Sequence, residues 1–430
     1  MQIQNNLNYT NADDAVLEIK SHDNVFIHSA AATPSELIKA MVRRASELRN
    51  VKIYHIHTEG DCSYAKKEYK DSFNVHSFFN GSNIRDISKN TLFENYIPIF
   101  LSDIPHLFYN KKIELDVTLV QLTPPDKHGM CSLGPSVDVS SAAIRTAKKI
   151  IAQINPLLPR TFGEQIHFSK ITKAIFLETP LHQSKIVANT DAELAIGKNI
   201  AELIEDGSTL QLGIGAIPNA VLSMLTNHKD LGIHSEMFSD GIIPLHNKGV
   251  ITGKYKVKHP GKIISSFVIG TNKVYDFIDD NPEVLLLDCS YTNNPHIIAA
   301  NPKVVAINSA IEIDLSGQVC ADSIGHRIYS GVGGQVDFIR GAAISKGGKP
   351  IIAIKASASN GESKIVPFLK EGAGVVTTRA HVHYVVTEFG VAYLHGLTIE
   401  ERARALISIS APENRENLEK SFYQQFKNLY

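Results

Sequence analysis

The sequence predicts an α/β protein with largely parallel sheets, and three observations carry that prediction. Short apolar runs alternate with stretches of helical spacing from one end of the chain to the other. The pattern repeats itself faintly in the two halves. With 430 residues, 43% hydrophobic and 20% charged, the chain has room for two or three domains with sizeable cores.

Taken in order, residues 25–27, 51–56, 117–122, 174–177, 209–212, 284–287, 304–307, 350–354 and 384–386 read as buried strands, and the apolar run 97–101 suits one as well. Between them, residues 35–46, 192–204 and 220–225 carry apolar side chains at helical spacing. The repeat relates residues 19–34 to residues 203–218. Both segments read as helix end, tight turn, strand, small-residue turn, and then a proline (Pro34, Pro218) near the first helical position, where its missing N–H costs least. Each half also holds a His-hydroxyl-Glu triplet, His57-Thr58-Glu59 in the first and His234-Ser235-Glu236 in the second. The polar stretch 182–191 is the best boundary, giving domains of residues 1–186 and 187–430. Two similar halves facing each other put a site between them.

Charge excludes several classes of function. Forty-three Lys+Arg against 44 Asp+Glu leave a formal net charge of -1, so no field draws the whole molecule to nucleic acid or to an anionic membrane. Cys62, Cys131, Cys289 and Cys320 lie far apart without a CxxC pair, which removes zinc-knuckle, thioredoxin-like and disulfide-framework readings. The N-terminal residues lack the basic cluster and apolar stretch of a signal peptide, and no run reaches membrane-span length. A cytoplasmic protein is expected.

The sharpest chemical signal is residues 209–219, a strand that ends in Gly213-Ile-Gly215 and leads to a helix near Pro218. Such glycines let backbone N–H groups approach a ligand, and a helix N-terminus favours negative charge. A purely structural turn competes with this reading, and so does a dinucleotide site, because Glu236 lies where a ribose-binding acid would be. Yet Pro218 stands where G-x-G-x-x-G needs its third glycine. A second Gly-rich turn, Gly331-Val-Gly333-Gly334-Gln335, reads either as a sharp turn capped by Asp337 or as a close approach to a ligand, and the two turns together strengthen the case for a ligand. The Pro- and Gly-dense residues 123–134 read equally as a rigid turn or a site wall. His55-x-His57 and His381-x-His383 each put two imidazoles on one strand face, without the third ligand a metal site needs. No G-x-S-x-G elbow is present. The basic run Lys254-x-Lys256-x-Lys258-His259-Pro-Gly-Lys262 reads as a solvated hairpin, with phosphate contact as the alternative.

These segments together resemble the acetyl-CoA hydrolase/transferase family, which includes 4-hydroxybutyrate and butyrate CoA-transferases. The resemblance spans nearly the whole chain. It rests on Pro-Pro-Asp-Lys-His-Gly and Ser-Leu-Gly in residues 124–134, residues 155–163 with Pro159-Arg160-Thr161, and Gln211-x-Gly-Ile-Gly-x-Ile-Pro218. It continues through His234-x-Glu236-Met-x-Ser-Asp-Gly241, Gly331-x-Gly-Gly-Gln-x-Asp-Phe338 and Val386-Thr-Glu-x-Gly390. The resemblance implies two similar open α/β domains of the CoA-transferase type with the active site between them. It also implies ping-pong transfer of CoA between a short acyl-CoA, of 4-hydroxybutyryl or butyryl type, and acetate.

The family's catalytic glutamate falls on Glu236. Gln211, Gly213, Gly215, Asn293 and Glu388 match positions around the oxyanion or acyl group, with Asn294 beside Asn293 as the competing alignment. Gly331, Gly333, Gly334, Gln335 and Lys262 are expected to face CoA. Glu59, in the equivalent triplet, is the internal rival but lacks the family motif. No metal and no cofactor are expected, CoA being substrate and covalent intermediate, and the assembly implied is a homodimer. Two alternatives stay open: an acyl-CoA (acetyl-CoA) hydrolase of the same family, and, more distantly, a non-catalytic CoA-binding module.

Overall fold

A computed structural model describes residues 9–88, 95–185, 188–213 and 215–424. The chain divides into two units. The first comprises Met1–Lys185 with Ile264–Thr292, and the second Ile186–Ile263 with Asn293–Tyr430. Both are built on parallel sheets, as an alternation of strands and helices requires.

In the first unit, β1 (Asn24–Ile27), β2 (Val51–His55), β3 (Phe73–Ser77), β4 (Val117–Leu122), β5 (Lys149–Ile154) and β6 (Lys173–Phe176) form one sheet in the order β3-β2-β1-β4-β5-β6. Every neighbouring pair is parallel. This is a doubly wound order, with its reversal between β1 and β4. Val25, Ile27, Ile53, Val75, Val117 and Leu119 meet Leu37 and Met41 of the helix Ser35–Arg43 in the core.

The second unit centres on β7 (Thr209–Leu212), β8 (Met237–Phe238), β9 (Val304–Ser309), β10 (Lys349–Ala353), β11 (Tyr384–Thr387) and β12 (Gly390–Tyr393), in the order β8-β7-β9-β10-β11-β12. β7, β9, β10 and β11 are parallel, while β8 and β12 run antiparallel to their neighbours. The short strand Gly232–Ile233 pairs in parallel with β7, as β2 does with β1. The repeat read from sequence is thus a strand, a helix and a parallel strand running into a His-x-Glu triplet.

After β7 comes the helix Ala216–Met224, fixed by packing on the helix Asp191–Ala201. Gly197 permits that approach, because a Cβ there would meet the Ala220 carbonyl carbon at 2.8 Å. Thr190 and Glu193 start the first of these helices with a capping box.

Three expectations need correction. Residues 264–292, which the sequence reading assigned to the second domain, belong to the first unit. Their backbone partners lie there: Val284–Leu286 pairs with Phe162–Gly163, and Ser266 O accepts from Val137 N at 2.9 Å. Residues 97–101 form no strand, and Leu101 begins a 3-10 turn with Phe100 exposed. The basic run 254–262 is not simply solvated, because Lys256 is buried within it.

Candidate active site

The C-terminal ends of the parallel strands in the second unit carry the site, where open α/β sheets bind ligands. Ser235, wholly buried, sets the approach to Glu236. Its hydroxyl accepts from Leu212 N at 3.1 Å and donates to Leu212 O at 3.0 Å, fastening the triplet to the end of β7. Leu212 pairs with Met237, and carrying that register on by one residue sets Glu236 opposite Gly213. Glu236 therefore lies on the face of Gln211, since side chains two apart share a face.

Glu236 is half-buried, and its Oε2 accepts a hydrogen bond from Asn293 Nδ2 at 2.9 Å. Asn293 is itself wholly buried. The neighbouring Asn294 has other work, capping the helix Pro295–Ala299 by accepting from His296 N at 2.9 Å. Of the two adjacent asparagines, Asn293 is the one whose amide reaches Glu236.

Gly334 closes over the pair. A Cβ at this position would overlap Glu236 Oε2 and Asn293 Nδ2, so the glycine is required by the carboxylate-amide contact itself. Its φ of -99° is open to any residue. Gly334 is also the N-cap of the helix Gln335–Ile344, which brings the Glu236 carboxylate to the positive end of a ten-residue helix.

The other Gly-rich turn works differently. Gly215 has φ 117° and ψ -174°, a conformation essentially confined to glycine, and it starts the helix Ala216–Met224. Among the described residues, a Cβ on Gly215 would meet nothing within 4 Å, and one on Gly213 only Pro218 Cγ at 4.0 Å. A side-chain carbon therefore has room at both glycines among the described residues.

Gln211, almost wholly buried, exchanges hydrogen bonds with Asn308. Glu388 follows β11 and accepts from Ala356 N at 2.9 Å. Gln335 donates to Thr377 Oγ1 at 3.2 Å. Gly333 takes φ 58° beside buried Gly331. Lys262 contributes its carbonyl oxygen, which accepts from Lys256 Nζ at 2.7 Å. The same ammonium donates to Ile233 O, also at 2.7 Å, three residues before Glu236. Burial pushes the Lys256 amine down to about 7. Sequence reasoning missed Lys256 and Asn308.

In the first unit, Glu59 is paired with His57 Nε2 at 2.9 Å. Burial works to raise its carboxyl, but the hydrogen bond and charge of His57 outweigh that and hold it low. Loop 123–134 is clamped by a second motif, as Thr161 Oγ1 donates to Gly134 O at 2.8 Å and Arg160 donates to Met130 O at 3.2 Å. Among the described residues, no three His, Cys, Asp or Glu side chains group as a metal site would, and no helix is long and apolar enough to cross a membrane.

Known proteins match along nearly the whole chain. Residues 2–191 match the acetyl-CoA hydrolase/transferase N-terminal domain and residues 270–422 the C-terminal domain. The succinyl-CoA:acetate/propanoyl-CoA:succinate CoA transferase of Fasciola hepatica is 53% identical, covering 97% of this chain and 88% of its own. The 4-hydroxybutyrate coenzyme A transferase of Clostridium kluyveri is 46% identical, over 96% of this chain and 97% of its own. The crystal structure of RipA from Yersinia pestis superposes with a TM-score of 0.92 at 32% identity, covering 97% of both chains. A protein named acetyl-CoA hydrolase, from Yarrowia lipolytica, stands further off at 27% identity over 76% of this chain and 70% of its own.

Proposed function

From the premise that this chain belongs to the acetyl-CoA hydrolase/transferase family, as a CoA-transferase, we propose that it moves CoA between a short-chain acyl-CoA and acetate through covalent intermediates on Glu236. The acyl group we propose is of the four-carbon type, 4-hydroxybutyryl or butyryl. The observation that carries this reading is the Glu236 carboxylate held by Asn293 against Gly334.

In the first step a Glu236 oxygen attacks the thioester carbonyl, the C–S bond breaks, and CoA leaves as thiolate from an acyl-glutamyl anhydride. The thiolate then attacks the glutamyl carbonyl, releasing the acyl group as a carboxylate and leaving a glutamyl-CoA thioester. Acetate attacks that carbonyl and displaces the thiolate, which takes the acetyl group from the new anhydride and restores Glu236. No net proton is consumed. One difficult transfer becomes several easier ones.

Each addition passes through an oxyanion. The Asn293 amide and the N-terminus of the helix after Gly334 supply fixed dipoles beside the glutamyl carbonyl, worth a few kcal/mol per donor in a site of this kind. We place Gly213 and Gly215 around the acyl group, and Gly331, Gly333, Gln335 and Lys262 along CoA. The proposed reaction uses no metal or dissociable cofactor. We propose that the enzyme acts in the cytoplasm as a homodimer.

Hydrolysis is the second reading, and it requires water to reach the same intermediates. The greater similarity of the CoA-transferases named above favours transfer. The deciding experiment incubates the protein with a panel of acyl-CoAs and isotopically labelled acetate. Labelled acetyl-CoA formed in step with consumption of the donor supports transfer, whereas free acid and free CoA formed independently of acetate support hydrolysis.

A further inference from the structure

Gln211, which the family resemblance puts around the oxyanion or acyl group, is bonded to a residue with no role so far, Asn308. Gln211 sits near the end of β7 and pairs with Ala306 of β9. Asn308, two residues on, shares that face and lies beside Gly213 when the register is carried one residue further. Glu236 flanks Gly213 from the β8 side. Glu236, in the bend just before β8, and Asn308, on β9, thus flank the same glycine, β8 and β9 lying about 10 Å apart across β7. Between them the face above Gly213 is open among the described residues, apart from Pro218 Cγ at the edge of contact distance.

The two amides hold each other. Asn308 Nδ2 donates to Gln211 Oε1 at 2.9 Å, and Gln211 Nε2 approaches Asn308 Oδ1 at 3.5 Å. Each primary amide has two N–H groups, so one on each remains for a ligand. An acyl chain extending from Glu236 across Gly213 has its far end at this pair. A methyl end would take water from those donors and return no hydrogen bond, while a terminal oxygen would replace the water.

We propose that Asn308, with Gln211, is the specificity determinant of the acyl subsite and selects acyl groups ending in a hydrogen-bond-accepting oxygen, a hydroxyl or a carboxylate, over unsubstituted alkyl chains. The inference rests on the CoA-transferase reading and deepens it.

The test measures kcat/KM for succinyl-CoA, 4-hydroxybutyryl-CoA and butyryl-CoA, with acetate as acceptor, in the wild-type protein, Asn308→Leu and Asn308→Asp. The wild-type protein favours at least one oxygen-ended substrate over butyryl-CoA by on the order of tenfold, and Asn308→Leu removes that preference, as loss of one good hydrogen bond does. The nearly isosteric Asn308→Asp carries the test where the Leu variant folds poorly. It turns against succinyl-CoA by like charge while retaining a partner for the hydroxyl. Equal wild-type rates on all three substrates overturn the inference, as does an equal loss on all three in both variants. Absence of transfer from every donor in the wild-type protein is a different failure: it removes the CoA-transferase reading and the inference with it.

Discussion

Asn293 Nδ2 lies 2.9 Å from Glu236 Oε2, and the two residues, 57 apart in sequence, meet where a Cβ on Gly334 would strike both. The contact fixes one carboxylate oxygen and orients the other.

Glu236→Gln abolishes CoA exchange while leaving the melting temperature close to wild type, because the side chain is half-buried and the amide keeps its shape. Glu236→Asp withdraws the oxygen by one methylene from attack geometry and costs roughly 10²-fold or more in kcat/KM. Steady-state exchange assays check both.

Asn293→Ala lowers kcat by about 10²–10³-fold, the cost of removing one fixed oxyanion donor. Asn293→Asp sets a second carboxylate beside Glu236 and raises the pH at which Glu236 ionises, since like charges disfavour one another. The acid limb of its pH–rate profile therefore moves to higher pH. A simple packing defect would lower the rate without moving the limb.

The two Gly-rich turns respond differently to alanine. Gly334→Ala, at an unstrained φ of -99°, strikes the Glu236–Asn293 contact and removes activity with little change in melting temperature. Gly215→Ala must adopt φ 117° with ψ -174° and costs about 1–3 kcal/mol of stability, read by chemical denaturation. Reversed outcomes would exchange the two roles.

Lys256 gives the pH dependence. Its amine is pushed down to about 7 by burial, against an ordinary value of 10.5. Between those values the unfolded chain binds a proton that the folded chain does not, so stability rises with pH across that window. The burial penalty is present in full below about pH 7 and is relieved as pH approaches 10.5. The slope from this group is on the order of 1.4 kcal/mol per pH unit. Lys256→Met removes that slope, and denaturant titrations from pH 7 to 10 measure it.

Much of this was legible in the sequence because turn chemistry bounds the apolar runs. β4 and β7 occupy residues 117–122 and 209–212 as read, each followed by Pro- or Gly-rich turns. β3 and β5 were missed: Phe73–Ser77 alternates buried and half-buried residues within a polar stretch, and Lys149–Ile154 abuts a helix without a punctuating glycine or proline. Glu236, Asn293 and Gly334 could be nominated from motifs, but their contact depends on tertiary placement. Lys256 was hidden because a lysine among lysines reads as solvated, and only the fold aims its ammonium at the Ile233 and Lys262 carbonyls. Asn308 lacked a signal altogether, since its meaning comes from register with Gln211.

The central claim is the covalent step on Glu236, and intact-protein mass spectrometry after incubation with acyl-CoA alone tests it most directly. The account predicts an adduct with the mass of CoA less water, mapped to Glu236, released by hydroxylamine, trapped by borohydride with loss of activity, and absent from Glu236→Gln. Free acid produced at the catalytic rate with no such adduct, or an adduct that survives in Glu236→Gln, would contradict it.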